Sequence, residues 1–238
     1  MSYPGPTVIR MRSAIVTGGG AGLGRALAQG LAGSGMHVLV ADIDADAAAE
    51  TAELVGGRAV RADIREPAEC HRLVRLAAEA GGPHVLINNA GGWTPGDKQY
   101  PDAPADDWTA TMALNLLAPM LLSQLVLEPM RALGGGAIVN IASSAGAGSD
   151  GYGSPEYGSA KAGLIRLTSS LAGLEQSHGV RMTCIVPGWI GLDRAHAQFA
   201  ALAPEVRAKT PPLIPPGDVV ELALELIATG RSGTVVEI

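Results

Sequence analysis

The stretch TGGGAGLG, residues 17–24, decides the fold. Before it stands SAIVT (13–17), a short run rich in β-branched residues, and after it a helical pattern over 23–33. The glycines of interest are Gly18, Gly22 and Gly24, with Leu23 between the last two. Glycine permits a tight turn and lets the backbone approach a pyrophosphate, which rests at the helix N-terminus. A glycine-rich turn alone is often only a turn. Here it has a strand before it and a helix after it. No Lys follows the last glycine, so it is not a phosphate loop of the Walker type.

Working outward, short apolar runs at 37–41, 58–62, 84–87, 137–141, 181–186 and 234–238 read as further strands. Helical patterns cover 46–55, 67–80, 106–133, 155–177 and 216–229. Continuously apolar strands alternating with helices predict an α/β protein. The expected architecture is a doubly wound parallel sheet (a Rossmann fold) of about seven strands, with helices on both faces. One dinucleotide-binding domain is expected over 1–238. The long irregular stretch 189–215, with one short helical piece at 195–202, reads as a lid or binding loop.

The net charge is −6 and no basic block stands out, which argues against a nucleic-acid partner. Cys70 and Cys184 lie in no metal-ligand spacing and read as reduced, structural thiols, so no metal is expected and the cytoplasm is the expected compartment. The polar, Pro/Gly-containing start does not read as a signal peptide. The most apolar run, 112–130, is interrupted by Asn115, Pro119, Ser123, Gln124 and Glu128 and reads as a buried core helix rather than a membrane span.

Asp42 ends the second strand at the distance where an acid meets an adenosine ribose. Its charge would repel a 2′-phosphate, and no Arg or Lys at 19–21 or 43 offsets it, which favours NAD over NADP. Helix capping explains Asp42 as well, a task Asp44 can also serve. Asp63 follows the third strand and reads either as an acceptor for the adenine amino group, with Ile64 on the ring, or as a cap for the next helix.

Tyr157 and Lys161 are four apart, on one face if the segment is helical. A free phenol has a pKa near ~10, and a nearby ammonium lowers it. The pair reads either as an acid/base working near neutrality or as an ordinary surface pair.

In this order and spacing, the glycine turn at 17–24, Asn88-Asn89-Ala90-Gly91, Asn115, Ser143 in Asn140-Ile141-Ala142-Ser143, Tyr157-x-x-x-Lys161 and Pro187-Gly188 resemble the short-chain dehydrogenase/reductase family, in its single-domain branch, over about 13–234. The resemblance implies that Tyr157 is the acid/base. Lys161 would be its partner and a ligand to the nicotinamide ribose. Ser143 would bind the substrate oxygen, with the adjacent Ser144 as a rival. It implies cofactor contacts from Asn89, Ala90, Gly91, Pro187, Gly188 and Ile190, with Asn89 at the adenosine ribose and Ile190 at the nicotinamide amide. Pro119 has no N–H to bond the Asn115 carbonyl. The family uses such a freed carbonyl to hold a relay water; a plain Pro kink is the simpler account.

Two departures stand out. Leu192 occupies the place where the family usually has a Thr on the cofactor amide. The Gly-containing tail usual after the last strand is absent beyond Ile238, which implies a more open pocket. The expected activity is an NAD-dependent interconversion of a secondary alcohol and a ketone. The alternatives are a biosynthetic ketoreductase using NADH or NADPH and a non-catalytic dinucleotide sensor. The expected partner is a small-molecule alcohol or ketone, bound by segments 92–105, 145–156 and 189–215, and no membrane. A homo-oligomer, tetramer or dimer, is expected through helices 106–133 and 155–177.

Overall fold

The computed structural model describes residues 12–93, 98–148 and 152–238. The polar N-terminal segment, and 94–97 and 149–151 of the expected pocket, lie outside the described residues. Among the described residues the seven strands are β1 (Ser13–Thr17), β2 (His37–Asp42), β3 (Arg58–Arg61), β4 (Val85–Asn88), β5 (Gly136–Ile141), β6 (Val180–Val186) and β7 (Val235–Glu237). They form one parallel sheet in the order β3-β2-β1-β4-β5-β6-β7. The helices are α1 (Gly22–Gly33), α2 (Ala45–Val55), α3 (Pro67–Glu79), α4 (Ala105–Met112), α5 (Ala118–Ala132), α6 (Pro155–Ser170), α7 (Leu174–His178), α8 (Asp193–Ala200), α9 (Pro204–Arg207) and α10 (Pro216–Thr229).

Side chains alternate across the sheet. Ala14 and Val16 face Leu27, Leu31 and Ala223 of α1 and α10. Ile15 faces the opposite layer, with Leu73 of α3 and Leu122 and Val126 of α5. Every residue of β1 is buried, because helices cover both faces. The chain winds outward in opposite directions from the β1–β4 junction, and the loops leaving their C-terminal ends part there to form a crevice.

Below that crevice runs a buried polar ladder. Asn88 Nδ2 donates to Asn140 Oδ1 (2.8 Å) and to Ser123 Oγ (3.1 Å), and Asn140 Nδ2 donates to Thr168 Oγ1 (3.0 Å). It ties β4 to β5 and both to α5 and α6, at the register Asn88↔Asn140.

Three helical expectations change. The helix expected at 106–133 is interrupted by a π-helical turn, Ala113–Leu117, in which the Ala118 N–H donates to the Ala113 carbonyl. Pro119, with no N–H and a bulky ring, forces that widening. The helix expected at 155–177 ends at Ser170 and resumes as α7, across a turn containing Gly173. The segment 189–215 carries α9 as well as α8, with Pro204 at the α9 start, a sequence signal that was present. Its base is closed by backbone bonds from Gly191 N to the Ile214 carbonyl (2.8 Å) and from Ile214 N to the Trp189 carbonyl (2.9 Å).

The apolar run is not wholly buried. Leu122, Val126 and Met130 are in the core, whereas Leu117 and Met120 are 56% and 42% exposed. By length and composition, Ala105–Ala132 is long and apolar enough to cross a membrane, but one face of it is core.

Candidate active site

A cleft of about 680 Å³ opens at the C-terminal ends of β1, β4, β5 and β6. One end is shaped by missing side chains. Gly18 and Gly22 have φ of +61° and +53°, in the left-handed region. A Cβ on Gly24 would lie 1.9 Å from the Gly18 carbonyl oxygen, and one on Gly18 would lie 2.8 Å from Ala90 Cα. Asn89 Nδ2 donates to the carbonyls of Thr17 (2.9 Å) and Gly18 (3.1 Å), while the N–H groups of Asn89 and Ala90 donate to Thr17 Oγ1. The loop after β4 is thus bonded to the turn after β1. No side chain caps α1 at Ala21, which leaves the N–H groups of its first turn for a ligand. Backbone donors at a helix N-terminus, in a cradle that any Cβ would fill, fit the pyrophosphate of a dinucleotide.

Beyond that cradle, Asp42 Oδ2 accepts from the Gly20 N–H (2.8 Å) and Oδ1 from the Asp44 N–H (3.0 Å). Capping of α2 falls to Asp44, which accepts from the N–H groups of Asp46 and Ala47. Asp63 is gripped by Arg65 (Nη2 to Oδ2, 2.6 Å), and that guanidinium holds its carboxyl below the usual range. Asp63 does not cap α3; Glu66 holds that position. Ile64 follows, largely buried. Its side chain packs in the same core layer as Val60, Ala62 and Leu73 of α3.

At the other end Ser143, Tyr157 and Lys161 converge. Ser143 follows β5, and its Oγ accepts from the Ala145 N–H (3.2 Å). It also lies close enough to the Tyr157 phenol to draw its pKa down. Tyr157 and Lys161 share a face of α6. Lys161 is 3% exposed, and its Nζ donates to the Ile141 carbonyl (2.8 Å) at the end of β5. Desolvation pushes its pKa down to about 8. The expected effect on Tyr157 is reversed. Burial pushes the phenol above its ordinary value, Ser143 pulls it down, and Tyr152 adds a smaller upward push. The ammonium does not counter this, because it lies over the Tyr157 ring, 5.6 Å from the centroid, and bonds a carbonyl instead.

Asn115, fully buried in the π-helical turn, works through its side chain. Oδ1 accepts from the Gly92 N–H (3.0 Å), and Nδ2 donates to the carbonyls of Gly92 and Thr111. It pins the loop after β4 where a Cβ on Gly91 would come 3.0 Å from Lys161 Nζ.

The cleft therefore unites Gly18, Gly22, Leu23, Gly24, Asn89, Ala90, Gly91, Ser143, Tyr157, Lys161, Pro187, Gly188 and Ile190. Asp42, Asp63, Ile64 and Asn115 stand outside its lining. Ile141, Ala142, Ala195 and Gln198 line it without having been singled out. The first two continue β5, and Gln198 is one helical turn after Arg194, the only signals available. Leu192, in the usual Thr position, reaches back to the cradle: a Cβ on Gly22 would lie 3.3 Å from its Cδ1.

The family model for the short chain dehydrogenase matches residues 12–202. The chain belongs to the short-chain dehydrogenase/reductase family. An uncharacterized oxidoreductase of Thermotoga maritima is 34% identical over 82% of this chain and 77% of its own length. The 7alpha-hydroxysteroid dehydrogenase of Escherichia coli K12 is 34% identical over 93% of this chain and 89% of its own. A solved 7 alpha-hydroxysteroid dehydrogenase, complexed with NADH and 7-oxo glycochenodeoxycholic acid, superposes with a TM-score of 0.84 at 33% identity, covering 95% of this chain and 92% of that one. This short-chain dehydrogenase is thus an oxidoreductase by family, with the parallel sheet of its structural neighbours.

Proposed function

We propose that the protein interconverts a secondary alcohol and a ketone with NAD, and that Tyr157 moves the proton. One observation carries this: Tyr157, Ser143 and the buried Lys161 share a cleft with an uncapped, glycine-lined helix N-terminus. The nicotinamide, when bound, supplies the hydride acceptor or donor. Gly18, Gly22, Leu23 and Gly24 would hold the pyrophosphate, and Asn89, Pro187, Gly188 and Ile190 border the rest of its path. Ser143 donates to the substrate oxygen. Tyr157 takes the hydroxyl proton in oxidation and returns it in reduction, and Lys161 supports the charge from behind the ring. NAD is favoured because the Asp42 carboxylate stands against the turn through Gly20, while Arg25, which also reaches the turn, is committed to the Gly20 carbonyl, Thr51 and Glu50. Reduction of NAD, followed by absorbance across a panel of secondary alcohols, tests the proposal. Tight NADH binding with no turnover of any alcohol or ketone would make the protein a sensor instead.

A second reading, a biosynthetic ketoreductase, is favoured by the raised phenol: burial keeps Tyr157 protonated, the form that delivers a proton to a ketone. The ratio of forward to reverse kcat at neutral pH separates the two directions. We also infer assembly through the open face of α5 and α6, where Leu117, Met120, Leu121, Leu127, Leu167 and Leu171 line an apolar groove. Light scattering at micromolar concentration should show a tetramer or dimer. The buried free thiols Cys70 and Cys184 support a cytoplasmic home, and 189–215 is the segment we assign as a lid over the substrate.

A further inference from the structure

We propose that the substrate carries its reacting alcohol or ketone on a flat ring system with a carboxylate at its far end; this rests on the oxidoreductase reading of the same cleft. The chain is poor in aromatics, with three Trp, four Tyr and one Phe. Two of the Trp and two of the Tyr nevertheless line this one cleft. Trp93 stands edge-on to Tyr157 (centroids 5.4 Å, 72° between planes) and to Tyr152 (6.1 Å, 75°), and Tyr152 is tilted against Tyr157 at 5.8 Å. The three rings come from the loop after β4, the segment before α6 and α6 itself, so the cluster is a tertiary product. Trp93 and Tyr152 remain 41% and 42% exposed, and Trp189, across the cleft, 36%. Exposed rings on both sides of the proton-transfer group form a slot whose uncovered surface is apolar and aromatic. Offset or edge-to-face packing on such walls rewards a flat ring body over a flexible chain of equal carbon number.

The cleft that holds the slot also carries a charge. Arg194 and Gln198 lie one turn apart on α8 and both line the cleft. Arg194 belongs to no ion pair among the described residues. A guanidinium outside any ion pair among the described residues, in the same cleft as the aromatic slot and in a chain of net charge −6, selects a carboxylate over its neutral amide.

The test uses the intact protein with NAD and three probes: a hydroxyethyl naphthoate, its carboxamide, and a straight-chain secondary hydroxy acid of equal carbon number. The naphthoate is expected to exceed each of the others in kcat/KM by about tenfold or more. Trp93→Leu should erase the advantage of ring over chain. Arg194→Gln should erase that of carboxylate over amide through KM, with Arg194→Lys restoring part of it. Equal or better turnover of the straight-chain acid, or equal losses on naphthoate and carboxamide in Arg194→Gln, would overturn the proposal and leave the oxidoreductase reading standing. Quenching of Trp fluorescence reads binding separately. Naphthoate binding that depends on Arg194, with no hydride transfer to any alcohol, would sustain the ligand class and reject the oxidoreductase reading. Neither binding nor turnover of the naphthoate would overturn the proposal.

Discussion

The two ends of the cleft are made of opposite materials. The cradle end is backbone: positive-φ glycines, a carbonyl 1.9 Å from where a Cβ would be, and an uncapped helix start. The far end is side chain: a buried lysine, a phenol under a tryptophan edge, and exposed rings on separate loops. Where recognition is by backbone, what matters is the absence of atoms, and any added atom damages it. Where recognition is by side chain, a single group can be removed with the surroundings left in place. The two ends should therefore fail differently, one through cofactor affinity and the other through turnover or substrate choice.

The widest separation is expected from Tyr157→Phe. It keeps the ring against Trp93 and removes only the proton, so kcat should fall about 10²–10⁴-fold while NADH affinity, read by fluorescence titration, stays near wild type. Near-normal turnover of an active substrate would remove Tyr157 from the acid/base role. Gly24→Ala is the converse. Its Cβ meets the Gly18 carbonyl, so NADH affinity should fall about a hundredfold or more, whereas Gly33→Ala, with nothing within 4 Å, leaves affinity unchanged and adds up to ~1 kcal/mol of stability. Equal NADH affinity in the two variants would mean that the cradle is not where the dinucleotide lies.

Lys161 makes a stability difference that depends on pH. Its folded pKa of about 8 lies below its ordinary 10.5, so folding disfavours the charged form. The penalty is full below pH 8 and is relieved as the pH rises from 8 to 10.5, because there the unfolded chain binds the extra proton. Against Lys161→Met, the wild type should gain stability over that window, by about 3 kcal/mol at most. The buried Cys70 thiol, raised to about 11, acts in both proteins and cancels in the difference, whereas the Cys184 thiol, which the Lys161 ammonium pulls down, is part of what the difference reads. A flat difference in denaturation midpoint between pH 8 and 10 would show that Lys161 is not desolvated. The smallest effect is expected at Asp42. Asp42→Ala should narrow a preference for NAD over NADP by about tenfold, by removing a charge at close range. Equal binding of the two cofactors by the wild type would end that reading.

The same contrast governs what the sequence revealed. The cradle was legible because it depends on local composition: glycines between a strand and a helix have few other uses. The strands were legible because both faces of the sheet are buried, so each is a short apolar run with turn residues at its ends. Lys161 and Ser143 were located through motif spacing, yet the direction of the Tyr157 shift was not, because it depends on where the ammonium points. Only the placement of the Ile141 carbonyl decides that. The aromatic slot was invisible as a unit, because Trp93 and Tyr152 are far apart in the chain and meet only when the loops after β4 and β5 are folded.

The ladder of Asn88, Asn140, Ser123 and Thr168 has a consequence for how the sheet assembles. Forty-seven residues separate the end of β4 at Asn88 from the start of β5 at Gly136, so these strands must find each other over a long loop, with Val and Ile on both to satisfy almost any alignment. Apolar contacts alone would barely distinguish a pairing displaced by two residues from the right one, since such a slip keeps each side chain on its face. The amides do distinguish them. In the slipped sheet Asn88 and Asn140 would no longer be opposite, and each would be left in the core without its partner. The ladder is in this sense a checksum written across the strands, one that rejects a wrong alignment before the loops above it are committed to building a cleft.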